Sequence, residues 1–352
     1  LIAVLDDKKA DTSTVYDSRG GQIQYYGSWV RDSHKGGYGK ISLARGFEVS
    51  SNTVLVQSVY NNYKNNPKQF VDRIRSYGLH KPLGLPIKGE GKAVIPYPGT
   101  ARWSGTSLPW MAFGYGLSVT PLQTLTMYNA VANNGVMVKP IFVSEVKEWN
   151  KTIKKFNTEI INPKICSQET LGKVQAVLEN VVKRGTGSKL YSKDFSMSGK
   201  TGTAQVNYGK PDMYYASSFV GYFPAVQPKY SCIVVIHKPD KTVGYYGADV
   251  SGPVFKRIAQ KIFTDSPATN HVKNIDAKVV SQEKKYANYY QEVVKEGQIV
   301  PNVKGMEAMD AVALLENLGL KVKVVGIGRV KKQSITSGQK FNKNQTIIIE
   351  LS

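Results

Sequence analysis

Between residues 46 and 63 the chain runs apolar, polar, apolar. Gly46-Phe47-Glu48-Val49 ends one segment of helical spacing, Ser50-Ser51-Asn52 interrupts it, and Val54, Leu55, Ser58 and Val59 resume helical offsets as far as Tyr63. The polar triplet is therefore expected at a helix junction, with Ser51 or Asn52 as N-cap of a helix over 53–63. A further helix is signalled where Thr120 reads as an N-cap and Pro121 as first helical residue. Leu122, Leu125, Tyr128 and Val131 continue its apolar face to Asn133-Asn134-Gly135. Residues 141–146 alternate and predict a strand. The period shortens to two again over 198–205, 214–223 and 230–236, and 254–262 reads as a closing helix. Helical and strand patterns mixed in this way predict an α+β fold.

The pattern changes after Phe263. Asp265-Ser266-Pro267 breaks the chain, and 274–297 is polar and charged, with Tyr286, Tyr289 and Tyr290 as its main bulky residues, which predicts a linker. A small unit follows, opening on Val300-Pro301-Asn302-Val303-Lys304-Gly305. It continues with a helix over 306–318, with Met309, Val312, Leu315 and Leu318 on one face and Gly319 as its C′ residue. Strands are expected over 320–325 and 346–351, joined through Gly326, Gly328 and Gly338. The organisation read from the sequence is 1–264, a linker over 265–297, and 298–352.

Charge narrows the partners. Of 352 residues, 47 are basic and 26 acidic, a net charge of +21 that favours anionic surroundings. Nucleic acid is not the expected partner, because the lysines are scattered in pairs such as Lys8-Lys9, Lys154-Lys155, Lys284-Lys285 and Lys331-Lys332, with no nucleic-acid motif or basic stripe. A solvated surface near anionic wall polymer or lipid fits the charge better. Only Cys166 and Cys232 occur, so no disulfide framework is indicated, and Cys232, in the apolar run Ile233-Val234-Val235-Ile236, is expected as a buried free thiol. No apolar run reaches the ~20 residues of a membrane span and no signal peptide is recognisable. No metal or cofactor is called for.

The candidate chemistry lies in Ser198-Gly199-Lys200-Thr201-Gly202-Thr203-Ala204-Gln205. Gly199 and Gly202 let a ligand backbone approach, Lys200 brings positive charge, and Thr201 and Thr203 bring hydroxyl donors, which together suit a carboxylate. Alternation puts Lys200 and Gly202 on one face and Thr201 and Thr203 on the other. All can serve one ligand only from a twisted strand at a sheet edge.

Ser50-Ser51-Asn52 followed by Lys200-Thr201-Gly202 resembles the second and third motifs of the penicillin-binding proteins and serine β-lactamases. Gly114-Tyr115-Gly116-Leu117-Ser118-Val119-Thr120-Pro121-Leu122-Gln123, Ser218-Phe219-Val220-Gly221-Tyr222-Phe223-Pro224 and Gly252-Pro253-Val254-Phe255 resemble the monofunctional, class B transpeptidases of cell division. The last 55 residues are similar to a PASTA domain through Pro301-Asn302-Val303, Ala311-x-x-Leu314-Leu315, Gly319-Leu320 and the stretch from Gln333-Ser334 to Gly338. No ligand-binding residue is assigned in it, and a spacer role is favoured.

The resemblance implies an antiparallel sheet flanked by helices, with a small αβ module appended, and acyl transfer through a serine. That serine belongs to a Ser-x-x-Lys motif expected upstream of Leu1. The strings at Ser144/Lys147, Ser281/Lys284 and Ser337/Lys340 come too late in the order of motifs and offer no helix N-terminus, so they read as accidents. The chain is thus expected to be a fragment or cleavage product, inactive alone. Its membrane anchor is likewise expected elsewhere, on a protein acting at the extracytoplasmic side of the cell envelope.

The implied roles are these. Ser50 shuttles a proton, Asn52 positions the donor's acyl-side amide and orders the missing motif's lysine, and Lys200 supports both Ser50 and the substrate carboxylate. Thr201 and Thr203 bind that carboxylate beside Gly202, and the Thr203 N–H forms half of an oxyanion hole. Implied partners are peptidoglycan stem peptides ending in D-Ala-D-Ala, β-lactams, a glycosyltransferase and other wall-synthesis or division proteins. A β-lactam-sensing regulatory domain and a non-catalytic wall-binding scaffold remain open, whereas a β-lactamase is disfavoured by the length and the C-terminal module.

Overall fold

The structure is a computed structural model describing residues 1–86, 88–149, 151–265 and 299–352. The chain divides into two compact units, Leu1–Pro267 and Ala268–Ser352. Apart from Asp265, which still belongs to the helix Ser251–Asp265, the linker expected over 265–297 lies outside the described residues, as does Ser281/Lys284.

The first unit is organised on a three-stranded antiparallel sheet in the order Tyr230–His237, Tyr214–Phe223, Ser198–Val206. Lys200 pairs with Val220 and Gly202 with Ser218, so the strand bearing the basic motif is an edge strand. Alternation of the central strand divides the interior in two. Tyr222 enters a large core with Val54, Val59, Tyr63, Leu108, Ala130, Val131, Leu171 and Leu178. Phe219 and Phe223 enter a second core with Leu190, Phe195, Phe255 and Ala259, and Phe219 meets Phe255 at 4.7 Å between ring centroids. Helix Ser251–Asp265 covers this second face, and helix Gln168–Arg184 runs beside the edge strand.

Local signals explain most elements. Helix Pro121–Ala132 starts with the expected Thr120 cap, completed by Gln123 into a capping box. Its buried line differs from the expected one: Gln123, Thr126, Ala130 and Val131 are deepest, while Leu122, Leu125 and Tyr128 are half-buried. The reason is polar: Gln123 Nε2 satisfies the carbonyls of Leu79 (3.2 Å) and Lys81 (2.8 Å), which carries its amide inside.

The strand expected over 141–146 is displaced. Ile141, Phe142 and Val143 are exposed coil, and the strand is Glu145–Glu148, paired with Lys151–Lys155 around a bulge at Val146/Lys147. Alternation alone does not make a strand where no neighbour is available to pair with it. Cys232 is half-buried, not buried, because it lies on the outer strand of the sheet; Cys166 is the buried thiol, and both are free.

In the second unit, helix Ala308–Asn317 buries Ala311, Leu314 and Leu315, and Met309 is 83% exposed. The stripe expected through Met309 is therefore rotated, with Val312 and Leu318 at its margin. Gly319, at φ +91°, follows the helix as expected, and the Leu320 N–H closes back on the Leu315 carbonyl at 3.1 Å. The sheet order is Lys321–Val325, Thr346–Leu351, Val330–Gln333, with the first pair parallel and the second antiparallel. Strand Val330–Gln333 was not expected, because Lys331-Lys332 and a bulge hide its alternation.

Candidate functional site

Two segments 150 residues apart meet at the site. Helix Leu43–Glu48 ends at Val49, Ser50 turns into the left-handed region at φ +55°, and helix Asn52–Tyr63 begins with Ser51 as cap. A side chain in that region costs about 1 kcal/mol and persists only where its surroundings hold it. Here the Ser50 N–H bonds the Phe47 carbonyl at 3.1 Å and the Ser51 N–H the Gly46 carbonyl at 2.8 Å. Asp32 completes the hold: its carboxylate accepts from Ser51 Oγ, Thr53 N and Thr53 Oγ1, each at 2.9 Å, at the positive end of the new helix. Gly46 allows the two helices to approach, since a Cβ there would collide with Val54.

The edge strand delivers Lys200 to this turn. Its ammonium donates to Ser50 Oγ and, at 3.2 Å, to the Thr201 carbonyl, and lies 5.5 Å from the centre of the Phe47 ring. Among the described residues it forms no ion pair. Desolvation pushes its pKa down from the usual 10.5 to about 8. A cation without a counter-ion, kept short of full solvation and touching a hydroxyl, can receive an anionic ligand and polarise Ser50.

Alternation sends the threonines to the other side. Thr201 Oγ1 lies 2.8 Å from Thr186 Oγ1, and Thr203 Oγ1 accepts from Gly247 N–H at 3.1 Å. With its lone pair engaged by Gly247, the Thr203 hydroxyl is left free to donate. Gly247 has to be glycine, because a Cβ would strike the Ser218 carbonyl and the Gly202 backbone. At Gly202 a Cβ would meet only Ser218 Oγ, which would have to rotate away. Gln205 N–H points out of the sheet to Tyr115 Oη at 3.1 Å, and by antiparallel alternation the Thr201 and Thr203 N–H groups face the same open edge. Nearby, Tyr215 stacks on Tyr245 at 4.2 Å between centroids, and Gln205 Nε2 donates to Tyr215 Oη at 3.3 Å.

Of the residues singled out by sequence, Ser50 and Lys200 are in contact, and Thr201, Gly202 and Thr203 extend the same strand. Asn52, the first residue of the second helix, is anchored by its Nδ2, which donates to the Arg31 carbonyl at 2.8 Å. Sequence reasoning missed Asp32, Thr186, Tyr115 and Gly247. Only Tyr115 carried a signal, inside the Gly114-to-Gln123 string. Ser144 sits in a bend before the strand Glu145–Glu148 and Ser337 in a turn, neither of them at a helix N-terminus. No group of His, Cys, Asp and Glu suited to a metal ion, and no helix long and apolar enough to cross a membrane, occurs among the described residues.

Residues 1–260 match the family model of the penicillin-binding protein transpeptidase domain, and residues 298–352 match that of the PASTA domain. Stage V sporulation protein D of Bacillus subtilis is 29% identical over the whole of this chain and 52% of its own length. Peptidoglycan D,D-transpeptidase FtsI of Escherichia coli K12 is 32% identical over 53% of this chain and 30% of its own. Among solved structures, penicillin-binding protein 3 of Mycobacterium tuberculosis, complexed with aztreonam, superposes with a TM-score of 0.65 at 27% identity, covering 76% of this chain and 60% of that one. The chain spans about half, or less, of the length of the curated relatives it matches.

Proposed function

The chain belongs to the penicillin-binding protein transpeptidase family, in its class B group with a C-terminal PASTA domain, and on that premise we propose that it carries the Ser50/Lys200 half of a peptidoglycan D,D-transpeptidase site. The observation that carries this reading is the desolvated Lys200 ammonium, free of any ion pair among the described residues, donating to the Ser50 hydroxyl at an open sheet edge.

In the proposed reaction the acylated serine comes from a Ser-x-x-Lys segment outside these residues. It attacks the D-Ala-D-Ala carbonyl, the terminal D-Ala leaves as the amine, and a neighbouring stem peptide's amine then takes the acyl group. Lys200 and the Thr201 and Thr203 hydroxyls receive the substrate's terminal carboxylate. Ser50 relays the serine proton to the departing nitrogen, its own hydroxyl held by Lys200. Thr203 N–H, facing the open edge, supplies one oxyanion donor, a contribution of ~3 kcal/mol in comparable acyl transfers. Asn52 Nδ2 is anchored on the Arg31 carbonyl, and its Oδ1 acceptor positions the donor's acyl-side amide. β-Lactams enter as mimics of the peptide terminus. The same reading places the site outside the cytoplasmic membrane and gives it a glycosyltransferase as working partner.

Incubation of the full-length protein with fluorescent penicillin, and separately with a D-Ala-D-Ala-terminated tripeptide, tests the proposal. One covalent adduct and released D-Ala are expected. Labelling without D-Ala release would favour a sensor, and the absence of both would reject the reading.

A further inference from the structure

Thr201 is held by a residue outside the recognised motifs. Its Oγ1 lies 2.8 Å from Thr186 Oγ1, so the two hydroxyls share one hydrogen bond. Thr201 can donate outward to a carboxylate only while Thr186 donates to it, because each hydroxyl has a single proton. We infer that Thr186 is a positioning residue that presets the Thr201 hydroxyl as a carboxylate donor, and that the buried Glu48 fixes the turn carrying it.

Glu48 is fully buried two residues before Ser50. Its carboxylate receives Arg184 Nη2 at 2.9 Å, Arg184 Nε at 3.1 Å and Arg45 Nη1 at 3.0 Å; Arg45 Nη1 also donates to the Arg184 carbonyl at 3.0 Å. The Glu48 carbonyl accepts the Thr186 N–H at 3.0 Å. Gly185 permits this approach, since a Cβ there would collide with that carbonyl. The Gly187 N–H then returns to the Val181 carbonyl at 3.0 Å, closing the turn on the end of helix Gln168–Arg184. One acidic residue thus ties the Ser50 turn to the segment that orients Thr201.

The inference rests on the transpeptidase reading, and its test separates the two. Acylation of the full-length protein is followed with benzylpenicillin and with its methyl ester, which lacks the carboxylate, for wild type, T186V and T186S. T186V is expected to raise the half-saturating concentration of the acid about tenfold, with the limiting rate unchanged and the ester within twofold of wild type. T186S should restore the acid. An equal loss for acid and ester, no loss for either, or failure of T186S to restore the acid overturns the positioning role alone. A wild-type protein that is not acylated, or that does not prefer the acid, overturns the transpeptidase reading and the inference with it.

Discussion

The two units bury different things. Every buried polar or charged side chain among the described residues lies in the first unit, including Glu48, Ser51, Thr53, Gln57, Gln123 and Ser217. The buried side chains of the second are apolar, from Val300 and Val303 through Leu314, Leu315 and Phe341 to Ile347 and Ile349. A buried polar group is costly unless its partners are in place. Around Ser50 those partners form a continuous set: Asp32 on Ser51 and Thr53, Arg184 and Arg45 on Glu48, Lys200 on Ser50. The first unit holds a left-handed serine and a desolvated ammonium in one place, where chemistry can use them. The second unit holds its fold through apolar packing, and its resemblance of fold by itself assigns no site.

The sharpest way to break that contrast is to remove the charge. K200M is expected to lower penicillin acylation of the full-length protein by about 10²–10⁴-fold. Stability should not fall with it. Because the folded-state pKa of about 8 lies below the usual 10.5, the charged lysine destabilises the fold at all pH below 8, and that cost fades as pH rises from 8 to 10.5. Its removal returns at most ~3 kcal/mol at neutral pH, read as an unchanged or raised unfolding midpoint.

The complementary substitution, L314A in the second unit, should cost that unit 2–5 kcal/mol, at about the values found for fully buried leucines, and leave the acylation rate as it is. A fall in acylation would show that the chemistry does not reside in the first unit alone. A smaller effect should appear on titration: affinity for a carboxylate-bearing β-lactam is level below pH about 8 and falls about tenfold per unit above it, as Lys200 loses its proton. The methyl ester should show no such slope. Smallest, T120A should cost the first unit ~1 kcal/mol by opening the capping box, with no change in that pH profile.

What was legible follows from where each signal is stored. Thr120, the strand over 214–223 and Gly319 declare themselves within a few neighbouring residues, and the structure has them where expected. The Ser50 to Lys200 contact was legible only through motif pairing, since no local pattern joins residues 150 apart. Asp32, Thr186 and Gly247 were invisible because an aspartate, a threonine and a glycine in turns are commonplace, and their meaning comes from partners 15 to 44 positions away. The helical faces failed for a related reason. Periodicity names an apolar stripe, but packing chose Ala311 over Met309, and a pair of orphan carbonyls drew Gln123 inside.

On the proposed reading Ser50, held by Lys200, handles the proton of an acyl transfer. The most direct measurement is the rate of penicillin acylation of the full-length S50A variant against wild type, with both unfolding midpoints recorded. A loss of about 10²–10⁴-fold is expected, with the midpoint essentially unchanged. An S50A protein that acylates within a few-fold of wild type would contradict that reading.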